Sequence, residues 1–376
     1  MSEHESSQPR PRVAVVFGGR SSEHSVSCAT AASVLAAIDP EAYDVIPVGI
    51  STEGKWVLEA TDADRLAITV GKELPEVDGK RATVALTSGS GSELMVTEPG
   101  QVPSTLGEVD VVFPLLHGPW GEDGTIQGLF EMAAVRYVGA GVLASAVGMD
   151  KHYMKLVLQA HGLPVLPYAV VRDREWRLDR SACEETVRSL GYPVFVKPAR
   201  GGSSLGISKV MDHRGLVEAV EHARQYDPKV LVEPAAKDAR EIECGVLGSL
   251  SGGDPEPSVV AEILVDDTYE FYDFEAKYLG EEHVDLQVPA SLPPDVEAQV
   301  RELSVRAFEA IGSEGLARVD FFYLGNADLV INEINTMPGF TPRSMFPRLW
   351  AASGLDYAAL VDRLLQLALH RGTGLR

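Results

Sequence analysis

The sequence predicts a mixed α/β and α+β protein, with a doubly wound N-terminal domain followed by two smaller sections of strands and helices. Three observations carry this expectation. A buried-strand run at residues 13–17 breaks at Gly18 and Gly19 into a helical pattern over 25–38, the opening unit of a doubly wound sheet. After Asp150 the rhythm changes to short strands interleaved with helices. Near the C-terminus two β-rich runs, 317–322 and 330–335, flank a hairpin-turn signal at Gly325-Asn326. A chain of 376 residues exceeds one ordinary core, so two or three domains are expected.

In order, the first domain spans 13–148 after a polar leader, 1–12, that reads as disordered. Its glycine turn does not spell G-x-G-x-x-G, so the dinucleotide fingerprint is absent. Glu23 and His24 sit in that turn, where an exposed glutamate either complements the helix dipole or contacts a ligand. Strands follow at 44–50 and 109–116. The second runs into HGPWGEDG at 117–124, a loop with His117, three glycines and two carboxylates at a strand's C-terminal end. It is either a ligand loop or a tight turn with an acidic edge. A helix at 125–134 and a short strand at 137–139 close the domain.

The second section, 149–239, opens with a helix from Asp150-Lys151 to His161, stopped by Gly162 and Pro164. Strands are expected at 168–171, 193–197, 207–210 and 230–233, with helices at 181–190 and 213–225. Between the second and third strands lies KPARGGSSLG, 197–206. Small and flanked by basic residues, it is either a plain loop or, as Lys151 and Lys197 beside it favour, a lid whose backbone N–H groups fold over phosphates. It is not a P-loop.

The third section, 240–376, carries strands at 241–248 and 258–265, then a long irregular segment, 266–290, containing FYDFEAKYL at 271–279. A loop of that length inside a compact domain points to function. A helix at 293–311, the hairpin and a final helix at 357–370 complete the chain. Centring a two-residue turn on Gly325-Asn326 sets Arg318 opposite Glu333 and Asp320 opposite Ile331. Strand alternation then puts Arg318, Asp320, Glu333 and Asn335 on one face, with Val319, Phe321 and Ile334 on the other. The face is either the wet side of an amphipathic hairpin or a site: hard oxygen ligands in that number suit Mg²⁺, which takes one or two carboxylates and leaves its other positions to water and phosphate.

Composition narrows the function classes. A net charge of −22 argues against non-specific nucleic-acid binding, though not against a nucleotide held by local lysines and Mg²⁺. No apolar run approaches the roughly 18 residues that span a bilayer, so no membrane partner is expected. Cys28, Cys183 and Cys244 show no metal spacing and no disulfide framework, which fits a reducing cytoplasm. The sequence holds no internal repeat, and 87–103 is a weakly polar stretch.

Six motifs together, GGRSSEHSVS (18–27), HGPWGEDG (117–124), Asp150-Lys151, VKPARGGSSLG (196–206), FYDFEAKYL (271–279) and the run 318–345, resemble the ATP-grasp superfamily and, within it, the D-alanine–D-alanine ligases. The match runs from Val13 to about Leu369. It implies an N-terminal doubly wound α/β (pre-ATP-grasp) domain followed by a two-subdomain ATP-grasp fold, with ATP between the later two sections.

The resemblance also implies residue roles. Lys151 and Lys197 would meet the α- and β-phosphates, with the loop around Ser203 and Ser204 covering the triphosphate. Glu233 and the backbone at Ala235 and Ala236 would take the adenine edge, Glu241 the ribose hydroxyls and Lys277 the γ-phosphate. Asp320, Glu333 and Asn335 would hold two Mg²⁺ (or Mn²⁺), sharing Glu333. Glu23, linked to Ser203 and Tyr278, would meet the first D-alanine's ammonium, with His117 near its carboxylate. Ser344 and the Met345 backbone would receive the second D-alanine's carboxylate. Arg318 and the Gly339 N–H would stabilise the oxyanion.

The implied reaction makes D-alanyl-D-alanine through an acyl phosphate, for peptidoglycan precursors, in a cytoplasmic homodimer. Tyr278 favours an amine acceptor over D-lactate. D-lactate or D-serine as acceptor, and a catalytically silent nucleotide-binding regulator on the same fold, are the competing readings. A nicotinamide-dependent oxidoreductase would need the missing glycine fingerprint.

Overall fold

The computed structural model describes residues 9–60, 65–66, 68, 74–87, 92–98, 100–202, 205–265, 284–325 and 328–374. Its contacts divide the chain into two compact units.

The first unit comprises residues up to Leu116, Gln127–Val138 and Tyr357–Leu375. Its strands are β1 (Arg12–Gly18), β2 (Asp44–Ile50), β3 (Trp56–Leu58), β4 (Thr83–Leu86), β5 (Glu93–Thr97), β6 (Ser104–Glu108), β7 (Val111–Pro114) and β8 (Arg136–Tyr137). They form one sheet in the order β6-β5-β4-β3-β2-β1-β7-β8. The β2-β1-β7-β8 half is parallel and fully apolar at its centre, where Val13 to Phe17 are buried. The antiparallel extension β3–β6 was not expected from sequence. Its strands are short, β6 has no buried face, and β5 falls inside the polar stretch with only Leu94 and Val96 buried.

Helix α1 (His24–Ala37) starts where expected, directly after Glu23. Glu23 is buried rather than exposed, at 8 % accessibility, so the expectation of a solvated turn glutamate is corrected. Gly18 has φ +87°, and a Cβ there would lie 2.3 Å from the Ile50 carbonyl oxygen, so only glycine lets the chain turn here. The Gly19 N–H then donates to that same carbonyl at 2.7 Å.

The second unit comprises His117–Ile126 and Gly139–Asp356. Helix α2 (Thr125–Met132) lies in the first unit from Gln127 on, and the second unit continues with α3 (Val142–Met149) and α4 (Lys151–Ala160). Asp150 caps α4, its side chain accepting from the N–H groups of His152 and Tyr153. A four-stranded antiparallel sheet follows, in the order β11-β10-β12-β9, from β9 (Ala169–Arg172), β10 (Val194–Pro198), β11 (Ser208–Val210) and β12 (Lys229–Pro234). Helices α5 (Asp173–Leu178), α6 (Arg180–Arg188) and α7 (Leu216–Ala223) contribute Trp176, Val187 and Val220 to its core.

A five-stranded antiparallel sheet, β15-β14-β13-β16-β17, is built from β13 (Arg240–Leu247), β14 (Glu256–Val265), β15 (Val284–Gln287), β16 (Leu316–Tyr323) and β17 (Leu329–Asn335). Helix α8 (Pro294–Ala310) covers one face, where Val300, Ala307 and Phe308 join Ile242, Cys244, Val319 and Ile334 in a buried cluster. Helix α9 (Met345–Ala352) packs with Ala261 and Ile263 through Met345 and Leu349. The final helix α10 (Tyr357–His370) belongs to the first unit, where Asp362 accepts a 2.5 Å hydrogen bond from the Tyr43 hydroxyl.

The hairpin register departs from the expected one. Arg318 pairs with Asn335 and Asp320 with Glu333, and the register then shifts so that Phe321 pairs with Ile331. Asn332 is thus an extra residue, a β-bulge. Unbroken alternation would have put Ile331 on the polar face with Glu333. The bulge reverses parity at that point, so Ile331 is fully buried while Glu333 and Asn335 stay beside Arg318 and Asp320. Part of the turn, Asn326, lies outside the described residues.

Candidate active site

The hairpin face is densely charged. Arg318 donates to Asp320 through Nε and Nη2, both at 2.7 Å, and its Nε lies 3.0 Å from Glu243. Asn335 Nδ2 donates to Asp320 Oδ2 at 3.0 Å. Strand pairing explains the grouping, because Glu243 on β13 sits opposite Asp320 on β16, and Asp320 opposite Glu333 on β17. Burial opposes the Arg318 charge, but Asp320, Glu243 and Glu333 outweigh it and raise its pKa well above the usual guanidinium value.

A second cluster lies in the four-stranded sheet and α4. Lys151 Nζ donates to the Gly201 carbonyl at 2.9 Å, at the base of the glycine-rich loop, and lies 3.9 Å from Glu333. Lys197 on β10 and Glu233 on β12 share a sheet face, with Nζ 2.6 Å from Oε2. Lys155, one turn after Lys151, is 2.6 Å from the other oxygen, Oε1. Burial pushes the Glu233 carboxyl up, but the two ammonium groups more than reverse this and hold it at about 2. Burial lowers Lys197 in turn, and Glu233, Glu333 and Glu241 together raise it above its usual value. Glu333 therefore acts on both clusters.

Of the expected site residues, Lys151, Lys197, Glu233, Glu241, Arg318, Asp320, Glu333 and Asn335 are gathered in this way. Ala235 and Ala236 directly follow β12, and the Ala235 N–H donates to the Pro193 carbonyl at 2.9 Å. His117 is buried, its Nδ1 3.3 Å from the Met337 carbonyl. Glu122 accepts from the Gly118 N–H at 2.7 Å and from the Met337 N–H at 3.1 Å. The 117–124 loop is thereby tied to the turn that carries Gly339. Ser344 is the N-cap residue of α9, and Met345 is its first residue. Glu23 belongs to the first unit. Ser203, Ser204, Lys277 and Tyr278 lie outside the described residues, as do residues 266–283 of the long loop.

Sequence reasoning missed Lys155 and Glu243 as members of these clusters. Both had a positional signal, Lys155 four residues after Lys151 on a helix and Glu243 two after Glu241 on a strand.

Among the described residues no group of three His, Cys, Asp or Glu side chains is placed to hold a metal ion. The hairpin set differs in kind, with two carboxylates and one amide oxygen, the hard and incomplete donor set that Mg²⁺ accepts beside phosphate. The residues fit the ion. No described helix is long and apolar enough to cross a membrane.

Two antiparallel α+β layers, one bearing the lysines and a glycine-rich loop, the other a carboxylate hairpin with a paired arginine, define the ATP-grasp class of ATP-dependent ligases. Sequence profiles described as D-ala D-ala ligase N-terminus and C-terminus match residues 12–140 and 157–366. The chain is 57 % identical over 371 residues to the D-alanine--D-alanine ligase of Pseudarthrobacter chlorophenolicus, covering 98 % of this chain and 97 % of that one. It is 57 % identical over 379 residues to the enzyme of the same description from Kineococcus radiotolerans, covering 99 % and 100 %.

Among solved structures, the VanG D-Ala:D-Ser ligase from Enterococcus faecalis superposes with a TM-score of 0.81 at 32 % identity, covering 96 % of this chain and 100 % of that one. The D-alanine-D-alanine ligase from Coxiella burnetii gives 0.80 at 31 %, covering 97 % and 95 %. The chain belongs to the D-alanine–D-alanine ligase family.

Proposed function

We infer that the chain uses ATP to join two D-alanines into D-alanyl-D-alanine for peptidoglycan precursors. The observation that carries this reading is the shared electrostatic field of Lys151, Lys197, Glu333, Asp320 and Arg318, which suits a triphosphate. In the first step the carboxylate oxygen of one D-alanine attacks the γ-phosphorus, the bond to the β-bridging oxygen breaks, and ADP leaves. In the second, the free amine of the other D-alanine attacks the acyl carbon, loses a proton, and expels inorganic phosphate.

Both steps need positive charge where anionic groups meet. Lys151 and Lys197 supply it at the α- and β-phosphates and Lys277 at the γ-phosphate, while the loop of Ser203 and Ser204 covers the triphosphate. Glu233, the Ala235 carbonyl and the Ala236 N–H take the adenine edge, since the Ala235 N–H is engaged by Pro193. Glu241 takes the ribose hydroxyls. Asp320, Glu333 and Asn335 would hold Mg²⁺ or Mn²⁺, two ions sharing Glu333, and the bound metal would neutralise phosphate charge.

Glu23, with Ser203 and Tyr278, receives the first D-alanine's ammonium, and His117 lies at its carboxylate. Ser344 and the Met345 N–H receive the second carboxylate at the N-terminus of α9, where backbone donors favour an anion. Arg318 and the Gly339 N–H stabilise the tetrahedral oxyanion. The long segment, expected to run to Ala290 but ending where β15 begins at Val284, acts as a lid that excludes water from the acyl phosphate. We read 13–148, 149–239 and 240–376 as the functional domains of a cytoplasmic homodimer.

A solved neighbour described as a D-Ala:D-Ser ligase keeps the acceptor as the second question. The test is the product formed from ATP and D-alanine, alone and in competition with D-serine and D-lactate. D-alanyl-D-alanine as the main product supports the reading, and a mixed product with D-serine or D-lactate in majority overturns the acceptor assignment. ATP binding with no product supports the silent regulator.

A further inference from the structure

Lys155 is the one member of the lysine cluster without an assigned role. Its side chain is 1 % exposed, and its ammonium lies 2.6 Å from Glu233 Oε1. Glu233 is closed off to the same degree, at 2 %, while its other oxygen lies 2.6 Å from Lys197, whose side chain keeps 13 % of its surface exposed. One carboxylate therefore carries two ammonium ions, one on each oxygen. Of the three groups Lys197 keeps the most exposed surface, which places it to meet a phosphate.

The arrangement matters because Lys197 cannot be equally available to a phosphate if Glu233 neutralises it. A lone Lys197–Glu233 pair is electrically neutral, and a buried carboxylate with one partner holds that partner tightly. With Lys155 present the triad carries a net charge of +1, and Glu233 has a second counter-ion buried beside it. A Lys at this buried position is costly in desolvation, and burial indeed lowers its pKa against the pull of Glu233. Lys151 and Lys155 stand one helical turn apart on α4, so the same helix delivers one lysine to the loop base at Gly201 and the other to the carboxylate.

We propose that Lys155 is a positioning residue for the nucleotide: it occupies one oxygen of Glu233 and thereby leaves the Lys197 charge available to the phosphates. This rests on the ATP-dependent reading of the site and does not depend on which amino acids are joined. Removing Lys155 leaves Glu233 with Lys197 alone and draws that ammonium away from the nucleotide.

The test is ADP binding by calorimetry to the full-length wild type, Lys155→Met, Glu233→Gln and the double variant, with thermal unfolding recorded for each. Lys155→Met is expected to weaken ADP about tenfold or more, the scale of one lost charge-assisted hydrogen bond. With Glu233 already neutral, adding Lys155→Met is expected to change ADP affinity less than about threefold relative to Glu233→Gln alone. That second comparison stands even if Lys155→Met alone does not fold, because the double variant contains no unpaired buried carboxylate. Unchanged binding by Lys155→Met, or a further tenfold loss in the double variant, would overturn the proposal. A wild type that binds ADP with this variant pattern but forms no dipeptide would refute the ligase reading while leaving the role of Lys155 intact.

Discussion

Arg318 holds Asp320 in a two-pronged grip, Nε to Oδ1 and Nη2 to Oδ2, both at 2.7 Å. A planar fork fixed in this way keeps its orientation while charge develops on a substrate. Arg318→Ala should lower kcat by roughly 10²–10³ with little change in ATP affinity, as for a lost transition-state donor. It should also destabilise the fold by about 3–5 kcal/mol, because Asp320 and Glu243 lose the guanidinium that pairs with both. Arg318→Lys should recover much of that stability without recovering kcat, since the charge returns but the fork does not. Steady-state kinetics with denaturant unfolding separates the two effects. A large loss of ATP binding at normal kcat would make Arg318 a ground-state contact.

The Glu233 triad predicts an acid-sensitive contribution to stability. An unfolded glutamate titrates near about 4.3, whereas the folded carboxyl is held at about 2. The stabilisation is therefore complete above the unfolded value and disappears as pH falls through the folded one. Wild type should lose stability more steeply than Glu233→Gln over that window. Equal slopes in urea titrations at several pH values would dissociate Glu233 from the two lysines.

Tyr43 anchors the returning C-terminal helix within the first unit, donating to Asp362 at 2.5 Å and accepting from Gln366 at 2.7 Å. Burial, with Asp362 adding to it, raises the phenol pKa well above its usual value, so it stays protonated through the neutral range. Tyr43→Phe should cost about 0.5–1.5 kcal/mol of stability by removing the hydrogen bonds that its buried hydroxyl makes to Asp362 and Gln366. Activity at low temperature should be unaffected. A stability unchanged in calorimetry would count against this anchor.

The carboxylate pair on the hairpin predicts a metal requirement. Chelation with EDTA should abolish turnover, and Glu333→Gln should raise the Mg²⁺ needed for half-maximal rate by about 10–100-fold. An unchanged Mg²⁺ dependence would take Glu333 out of the metal site.

Legibility in the sequence followed local periodicity. The runs at 13–17, 44–50 and 357–370 were plain because a buried strand or an amphipathic helix repeats its own pattern. The four polar residues of the hairpin were assigned correctly to one face, but the register was not. A β-bulge at Asn332 leaves no mark in composition, and its evidence was the apolar Ile331 lying in phase with Glu333. The burial of Glu23 and the partnership of Glu233 with two lysines are long-range facts. Tertiary packing supplies them, and no window of neighbouring residues contains them. The strands β3–β6 bury only one or two residues each, or none in β6, and so short an alternation does not stand out from a loop.

ATP-driven dipeptide formation through an acyl phosphate is checked by supplying ATP, Mg²⁺ and D-alanine labelled with ¹⁸O in its carboxylate, then quantifying every product. ADP, phosphate and D-alanyl-D-alanine are expected in equal amounts, with one carboxylate oxygen transferred to each phosphate because the acyl phosphate bridges through it. ADP released without dipeptide, or dipeptide formed with unlabelled phosphate, would contradict this route.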